Sequence, residues 1–413
     1  MGRTKMLNWL KRFNIFCFLE SHHYVLEPRR FETLVAAGQR SFCTGTANDL
    51  AGLDDYLKRR RWAFGHLSFE LNDAAFSLDP KPADLLQFEP FYFFEPEVTL
   101  QVSGEELIIE SDDPDRVFRE LSEAPEQMDD KQAPVAVHAR MSRDEYVATI
   151  RSLLAHIHRG DCYELNFCQE FWAVPESFDP WAVYARLTRI SPTPFGGFYR
   201  LRDRYLLCAS PERFLYKAGD QVLAQPIKGT ARRVPDAAQD ISLRDSLRES
   251  AKERAENVMV VDLMRNDLSR ICTEGSVEVP ELFGLYTFPQ VHQMISTVAG
   301  LLRPGAAFSD ILEATFPMGS MTGAPKKRVL ELIRQYERGA RGLFSGSLGY
   351  FYEGDFDFNV VIRSLLYNAS EPYLSYQVGS GITAYCTPEA EWEECLLKAS
   401  AIEKVLTSPP PEA

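Results

Sequence analysis

"GFYRLRDRYLLCASPERFLYKAGDQVLAQPIKGT", residues 197–230, decides the fold class. Its apolar runs at Tyr205–Ala209, Phe214–Tyr216 and Val222–Ala224 are too short for helices. Arg202-Asp203, Ser210-Pro211 and Gly219-Asp220 separate them. Short apolar runs bounded by Gly, Pro, Asp and Ser read as strands, and connections this short leave room only for antiparallel neighbours.

The same texture recurs on both sides. "CYELNFCQEFWAV" (162–174) precedes the stretch, and "GSLGYFYEG" (346–354), "FNVVIRSLLYN" (358–368) and "YLSYQVGSGITAY" (373–385) follow it. Near the start, "RWAFGHLSFELND" (61–73) and "VTLQVSGEELIIES" (98–111) alternate apolar and polar residues, the second around a Ser-Gly turn. Helices are expected after Ser142, where Tyr146, Ile150, Leu153, Leu154 and Ile157 recur at helical spacing, and over about 242–270. Further helices are expected from Pro325, at the first helical position, and over 388–406. Strands in groups, without strict alternation with helices, favour α+β over a doubly wound sheet.

The chain has 413 residues, 45% hydrophobic and 25% charged, enough for a large composite domain. Residues 1–121 read as a mostly β N-terminal region, 122–134 as an exposed linker, 135–407 as the core and 408–413 as a frayed tail. A net charge of -14 argues against nucleic acid or anionic membranes as partners. No apolar run reaches membrane-span length, and the charged N-terminal segment makes a poor signal peptide. The eight cysteines show no C-x-x-C spacing and read as reduced core thiols, so the expected location is the cytoplasm.

Two acidic pairs carry candidate chemistry. Glu253 and Glu256 in "KERAEN", and Glu391 and Glu394 in "EAEWEEC", are each spaced i, i+3 on an expected helix. Either pair alone reads as a solvated helix face. Together they could converge on one hard cation, and Mg2+ takes one or two carboxylates directly and others through water. Gly379 and Gly381 in "VGSGITAY" follow an apolar strand, where backbone N–H groups could receive a carboxylate. His292 sits among apolar residues, and Glu212 lies between two apolar runs where burial could raise its pKa. His156 and His158 point in different directions and do not read as a metal site. Lys228, at the end of the opening stretch, reads from position alone as an exposed strand-end lysine. For it to act as a nucleophile with a pKa near 7, its ammonium form must be destabilised by roughly 4.6 kcal/mol.

Nine motifs occur in order: "SPERF", "PIKGT", "ERAENVMVVDLMRND", "VHQMISTV", "TFPMGSMTGAPKKR", "GSLGYF", "NVVIRSL", "GSGI" and "EAEWEE". Together they resemble the chorismate-utilising enzymes, which include anthranilate, aminodeoxychorismate, isochorismate and salicylate synthases. The resemblance covers about residues 135–407, with "FCFLES" and "GHLSFEL" as a weaker N-terminal part. It implies a large α+β sandwich of two intertwined subdomains in β-α-α-β order, with two sheets enclosing helices. It implies Glu256 and Glu394 as direct Mg2+ ligands, with Glu253 and Glu391 acting through water. Tyr350, Arg363 and the backbone at Gly381 match positions that bind the enolpyruvyl carboxylate, Thr297 the pocket wall, and His292 and Glu212 positions that assist proton transfer.

"PIKGT" resembles the aminodeoxychorismate synthases, component I, whereas anthranilate synthases read P-I-A-G-T. In that subgroup the lysine adds at C2 of chorismate and ammonia then adds at C4. The 4-amino-4-deoxychorismate formed leads to 4-aminobenzoate and folate after a separate lyase removes pyruvate. The resemblance further implies a separate glutamine amidotransferase subunit as the ammonia source. The near alternative is an anthranilate synthase component I. A remoter one is a non-catalytic member that binds chorismate or tryptophan. "FCFLES" is similar to a segment that holds tryptophan in relatives, but Ser21 reads more simply as part of a core strand.

Overall fold

The computed structural model describes residues 2–407 apart from 25–26, 29–30, 80–83, 129–130 and 289–290. The tail at 408–413, and residues 129–130 of the expected linker, lie outside the described residues. The fold is α+β: two antiparallel sheets, of eleven and ten strands, with ten α-helices among the described residues.

The opening stretch forms four strands, Phe195–Leu201, Arg204–Ser210, Arg213–Ala218 and Gln221–Gln225. The first two belong to the eleven-stranded sheet and the last two to the ten-stranded sheet. The chain therefore changes sheets at Pro211-Glu212. A fifth strand, Ile227–Arg232, follows at once and pairs with Val291–Leu301 at the edge of the second sheet.

The expected strand 358–368 makes a similar crossing in reverse. Asp355–Asn359 lies in the ten-stranded sheet and Ser364–Asn368 in the eleven-stranded one. The two crossings are tied together: Val360 N–H donates to the Glu212 carbonyl at 3.0 Å, and the Ser210 hydroxyl donates to the Val360 carbonyl at 2.5 Å.

The sheets meet face to face. Cys17, Tyr199, Leu206 and Cys208 from one and Phe64, Leu348 and Tyr350 from the other share one core. His66 Nδ1 lies 3.1 Å from the Tyr199 hydroxyl across the interface. A Cβ at Gly197 would lie 2.9 Å from Leu348 Cδ2, so glycine sets the closeness of the two layers. The opposite faces are apolar too and must be covered. Arg143–Arg159, Pro180–Ile190 and Pro388–Thr407 cover the first sheet. Leu50–Lys58, Ala251–Ser269 and Phe308–Thr315 cover the second, where the Phe308 ring lies 4.6 Å from that of Phe351. The helices that the resemblance placed between the sheets thus lie outside them, because both faces of each sheet are apolar.

Local readings hold where local physics decides. Ser142 caps Arg143–Arg159 in a capping box with Glu145, and Val98–Ser103 and Glu106–Glu110 form the expected hairpin. The single helix expected over 242–270 is two, Ala237–Glu249 and Ala251–Ser269. Ser250 leaves helical geometry and accepts from Glu253 N–H, restarting the helix. Pro325 is the N-cap of Lys326–Tyr336, one residue before the position expected. No described helix is long and apolar enough to cross a membrane.

Candidate active site

The two crossings carry Glu212 and Arg363. Glu212 is buried at 5% exposure. Burial pushes its carboxyl up to about 7, against the pull of Ser320, Lys228 and Arg363. A carboxylic acid that keeps its proton near neutrality can give it to a leaving oxygen. Arg363 adopts φ +50° at the crossing. Its burial lowers its pKa, with Glu212 and Tyr24 as the opposing charges, and it stays a guanidinium cation.

Lys228 is the second residue of the edge strand Ile227–Arg232. It is not the exposed strand-end lysine its position suggests: its side chain is only 13% exposed and its Nζ donates to Glu164 Oε1 at 3.0 Å. Burial works against the ammonium, but Glu164, Glu256 and Glu212 outweigh it, and the pKa rises. The surrounding side chains thus stabilise the ammonium, the reverse of what a neutral nucleophile needs.

Glycines make room for this cluster. Gly229 has φ +89°, and a Cβ there would lie 3.1 Å from Glu253 Oε2. A Cβ at Gly381 would lie 2.9 Å from Glu164 Oε1 and 3.1 Å from Lys228 Nζ. At Gly379 it would lie 2.3 Å from the Phe167 carbonyl, so that glycine serves strand packing, and its own carbonyl accepts from Lys398 Nζ at 2.9 Å.

The acidic pairs lie on the expected helices, Glu253 and Glu256 on Ala251–Ser269, Glu391 and Glu394 on Pro388–Thr407. Lys252 feels all four: burial lowers its pKa, but Glu256, Glu394, Glu391 and Glu253 together raise it. Its Nζ lies 3.8 Å from Glu256 Oε1, and Lys398 Nζ lies 2.8 Å from Glu394 Oε1. Burial, with Glu253 and Glu164 adding to it, pushes Glu256 up to about 7. Glu391 is 3% exposed, and its Oε2 has no hydrogen-bond partner among the described residues. All-carboxylate donors, an orphaned buried oxygen and crowded negative charge fit a hard divalent cation. Among the described residues no three acidic, His or Cys side chains stand close enough together to hold a metal. Lys252 and Lys398 stand among these carboxylates.

The remaining candidates are His292, Thr297 and Tyr350. His292 is buried, with Nε2 3.1 Å from Asp240 Oδ1 and Nδ1 3.0 Å from Thr287 Oγ1. Arg233 first, then Val234 N–H and His292, hold the Asp240 carboxyl down at about 2 despite desolvation. The structure therefore ties His292 to Asp240 and Thr287. Thr297 Oγ1 accepts from Gln225 Nε2 at 3.5 Å. Tyr350 follows the alternation of Ser347–Tyr352 onto the inner sheet face opposite Asp357. There it lines an inter-sheet cavity with Ser21, Tyr24, Phe31 and Arg213. Ser21 lies just past the strand Ile15–Glu20, so it is a cavity residue and not part of that strand.

Sequence reasoning missed Glu164, Lys252 and Lys398. Glu164 alone carried a signal, an acid inside an apolar run that is 3% exposed in the fold.

Residues 25–404 match the chorismate-binding enzyme family. Aminodeoxychorismate synthase component 1 of Klebsiella aerogenes is 41% identical over 274 residues, 66% of this chain and 60% of the relative. The anthranilate synthase component I-like protein of Synechocystis is 32% identical over 91% of this chain and 79% of the relative. Anthranilate synthase component I of Streptococcus pneumoniae superposes with a TM-score of 0.81 at 24% identity, covering 92% of this chain and 94% of that one. The match spans about 60% of the length of the Klebsiella relative.

Proposed function

The chain belongs to the chorismate-binding enzyme family, and on that premise we propose that it is the chorismate-converting subunit of an aminodeoxychorismate synthase. One observation carries the reading: a largely shielded lysine at position 228, absent from the anthranilate synthase pattern, stands in one electrostatic cluster with the protonatable acid Glu212. The relatives named aminodeoxychorismate synthase component 1 support it.

In the proposed reaction Lys228 attacks C2 of the chorismate ring while Glu212 protonates the hydroxyl leaving C4. Ammonia then adds at C4 and expels the lysine. Arg363, fixed at the sheet crossing, pairs with the enolpyruvyl carboxylate, and the backbone at Gly381 offers it an N–H. Glu256 and Glu394 would hold Mg2+, with Glu253 and Glu391 reaching it through water, and the ion would supply the charge that binds the ring carboxylate. Thr297 would line the pocket wall, and His292 would assist the proton transfer to the leaving hydroxyl. The name "component 1" of the relatives supports a second subunit, which we take to be a glutamine amidotransferase supplying ammonia. Eight unpaired cysteines support a cytoplasmic setting.

Chorismate, Mg2+ and an ammonium salt are expected to give a product that an added lyase converts to 4-aminobenzoate. Direct formation of 2-aminobenzoate would make the chain an anthranilate synthase. Binding of chorismate with no turnover would make it a non-catalytic member.

A further inference from the structure

We propose that Glu164 is the positioning residue that holds the Lys228 amine at the ring and takes up its proton before attack, an inference that rests on the covalent reading above. Glu164 opens the strand Glu164–Ala173 of the eleven-stranded sheet, between Thr383 on one side and Ala324 on the other. Its register brings it over the Lys228 edge strand of the other sheet, 64 residues away in sequence. Oε1 accepts from Lys228 Nζ at 3.0 Å, while Oε2 is buried with no hydrogen-bond partner among the described residues. A carboxylate with one oxygen engaged and the other bare is an incomplete pair, and a transferred proton on it removes the buried charge. Gly381, without a side chain, leaves open the space beside both atoms.

Lys228 faces two other acids, Glu256 from the Ala251–Ser269 helix and Glu212 from the sheet crossing. In the proposed reaction Glu256 would hold the cation and Glu212 would protonate the leaving oxygen, which leaves neither to accept the lysine proton. Glu164 is free to accept it.

The step balances without an oxidant or reductant. The Lys228 ammonium gives a proton to Glu164, leaving a neutral amine and a neutral carboxyl. The amine lone pair forms the N–C2 bond, the two ring double bonds shift toward C4, and the C4–O bond breaks. Glu212 gives its proton to the departing oxygen, which leaves as water. Ammonia forms the C4–N bond, the double bonds shift back, and the N–C2 pair returns to the lysine nitrogen. Glu164 then returns the proton to that amine, and the new C4 ammonium gives a proton to Glu212, which restores the acid.

The test compares wild type, Glu164→Gln and Glu164→Asp from pH 7 to 9. Two readouts are used: 4-amino product with ammonium present, and mass spectrometry of the Lys228 adduct with ammonia left out. Glutamine keeps the shape and removes the proton acceptor. Its deficit against wild type is expected to be about 100-fold at pH 7. It is expected to narrow by about tenfold per pH unit as Lys228 loses its proton to solvent instead. Aspartate keeps the acceptor, so its deficit is expected to stay constant with pH. A Glu164→Gln deficit that is constant with pH, or below about threefold, overturns the proton role. So does a Glu164→Asp deficit that shrinks with pH, which keeps the test open if the glutamine variant does not fold. A wild type that forms neither adduct nor 4-amino product would instead refute the underlying reading.

Discussion

Replacing Glu212 by glutamine should make the protein more stable at alkaline pH while stopping its reaction. Burial moves the Glu212 carboxyl from 4.5 to about 7. Below pH 4.5 the acid is protonated in both the folded and unfolded chain, so it costs nothing. Between 4.5 and 7 the unfolded carboxyl ionises and the folded one does not. The native state therefore loses stability as pH rises through that window, by roughly 3 kcal/mol in total. Glutamine has no such penalty. The urea-unfolding gap between Glu212→Gln and wild type is expected to widen by roughly that amount from pH 4 to pH 8, in favour of the variant. Turnover of chorismate should fall by about 100-fold or more, because the amide cannot protonate the leaving oxygen. A gap that does not change with pH would refute the claim that Glu212 is held protonated. Wild-type turnover in the variant would refute its role as the acid.

Gly381→Ala places a methyl 2.9 Å from Glu164 Oε1 and 3.1 Å from Lys228 Nζ, so turnover should drop by about 100-fold with the thermal midpoint held within a few degrees, read by steady-state kinetics and circular dichroism. Arg363→Ala removes the guanidinium at the crossing and should raise KM for chorismate by about tenfold or more through loss of a charge-assisted pair; an unchanged KM would place the carboxylate elsewhere. Ser142→Ala removes the capping box of Arg143–Arg159 and should cost about 1 kcal/mol in urea unfolding without altering KM.

What the sequence revealed depended on how local the deciding physics was. The Ser142 cap, the 98–110 hairpin and the final helix are set by residues a few positions apart. The run Phe358–Leu366 is mostly apolar, and its periodicity does not show that the chain leaves one sheet at Asn359 and enters the other at Ser364. That bend is what brings Arg363 to Glu212. The layer order was equally hidden, since an apolar strand face looks the same whether another sheet or a helix covers it. The helix break at Ser250 was legible in principle, as a serine three residues before Glu253. The acidic pairs were legible as helix faces, but the lysines among them were not. The environment of Lys228 was the deepest miss. Position suggested an exposed lysine, while the fold buries it against Glu164, which the sequence places far away.

The central claim is that Lys228 directs ammonia to C4. Wild type and Lys228→Ala, supplied with chorismate, Mg2+ and ammonium salt, would be compared for 4-amino and 2-amino products by chromatography after lyase treatment. Loss of most 4-amino product in the variant, with some 2-aminobenzoate exposed, is the result expected. Undiminished 4-amino turnover by Lys228→Ala would contradict the account.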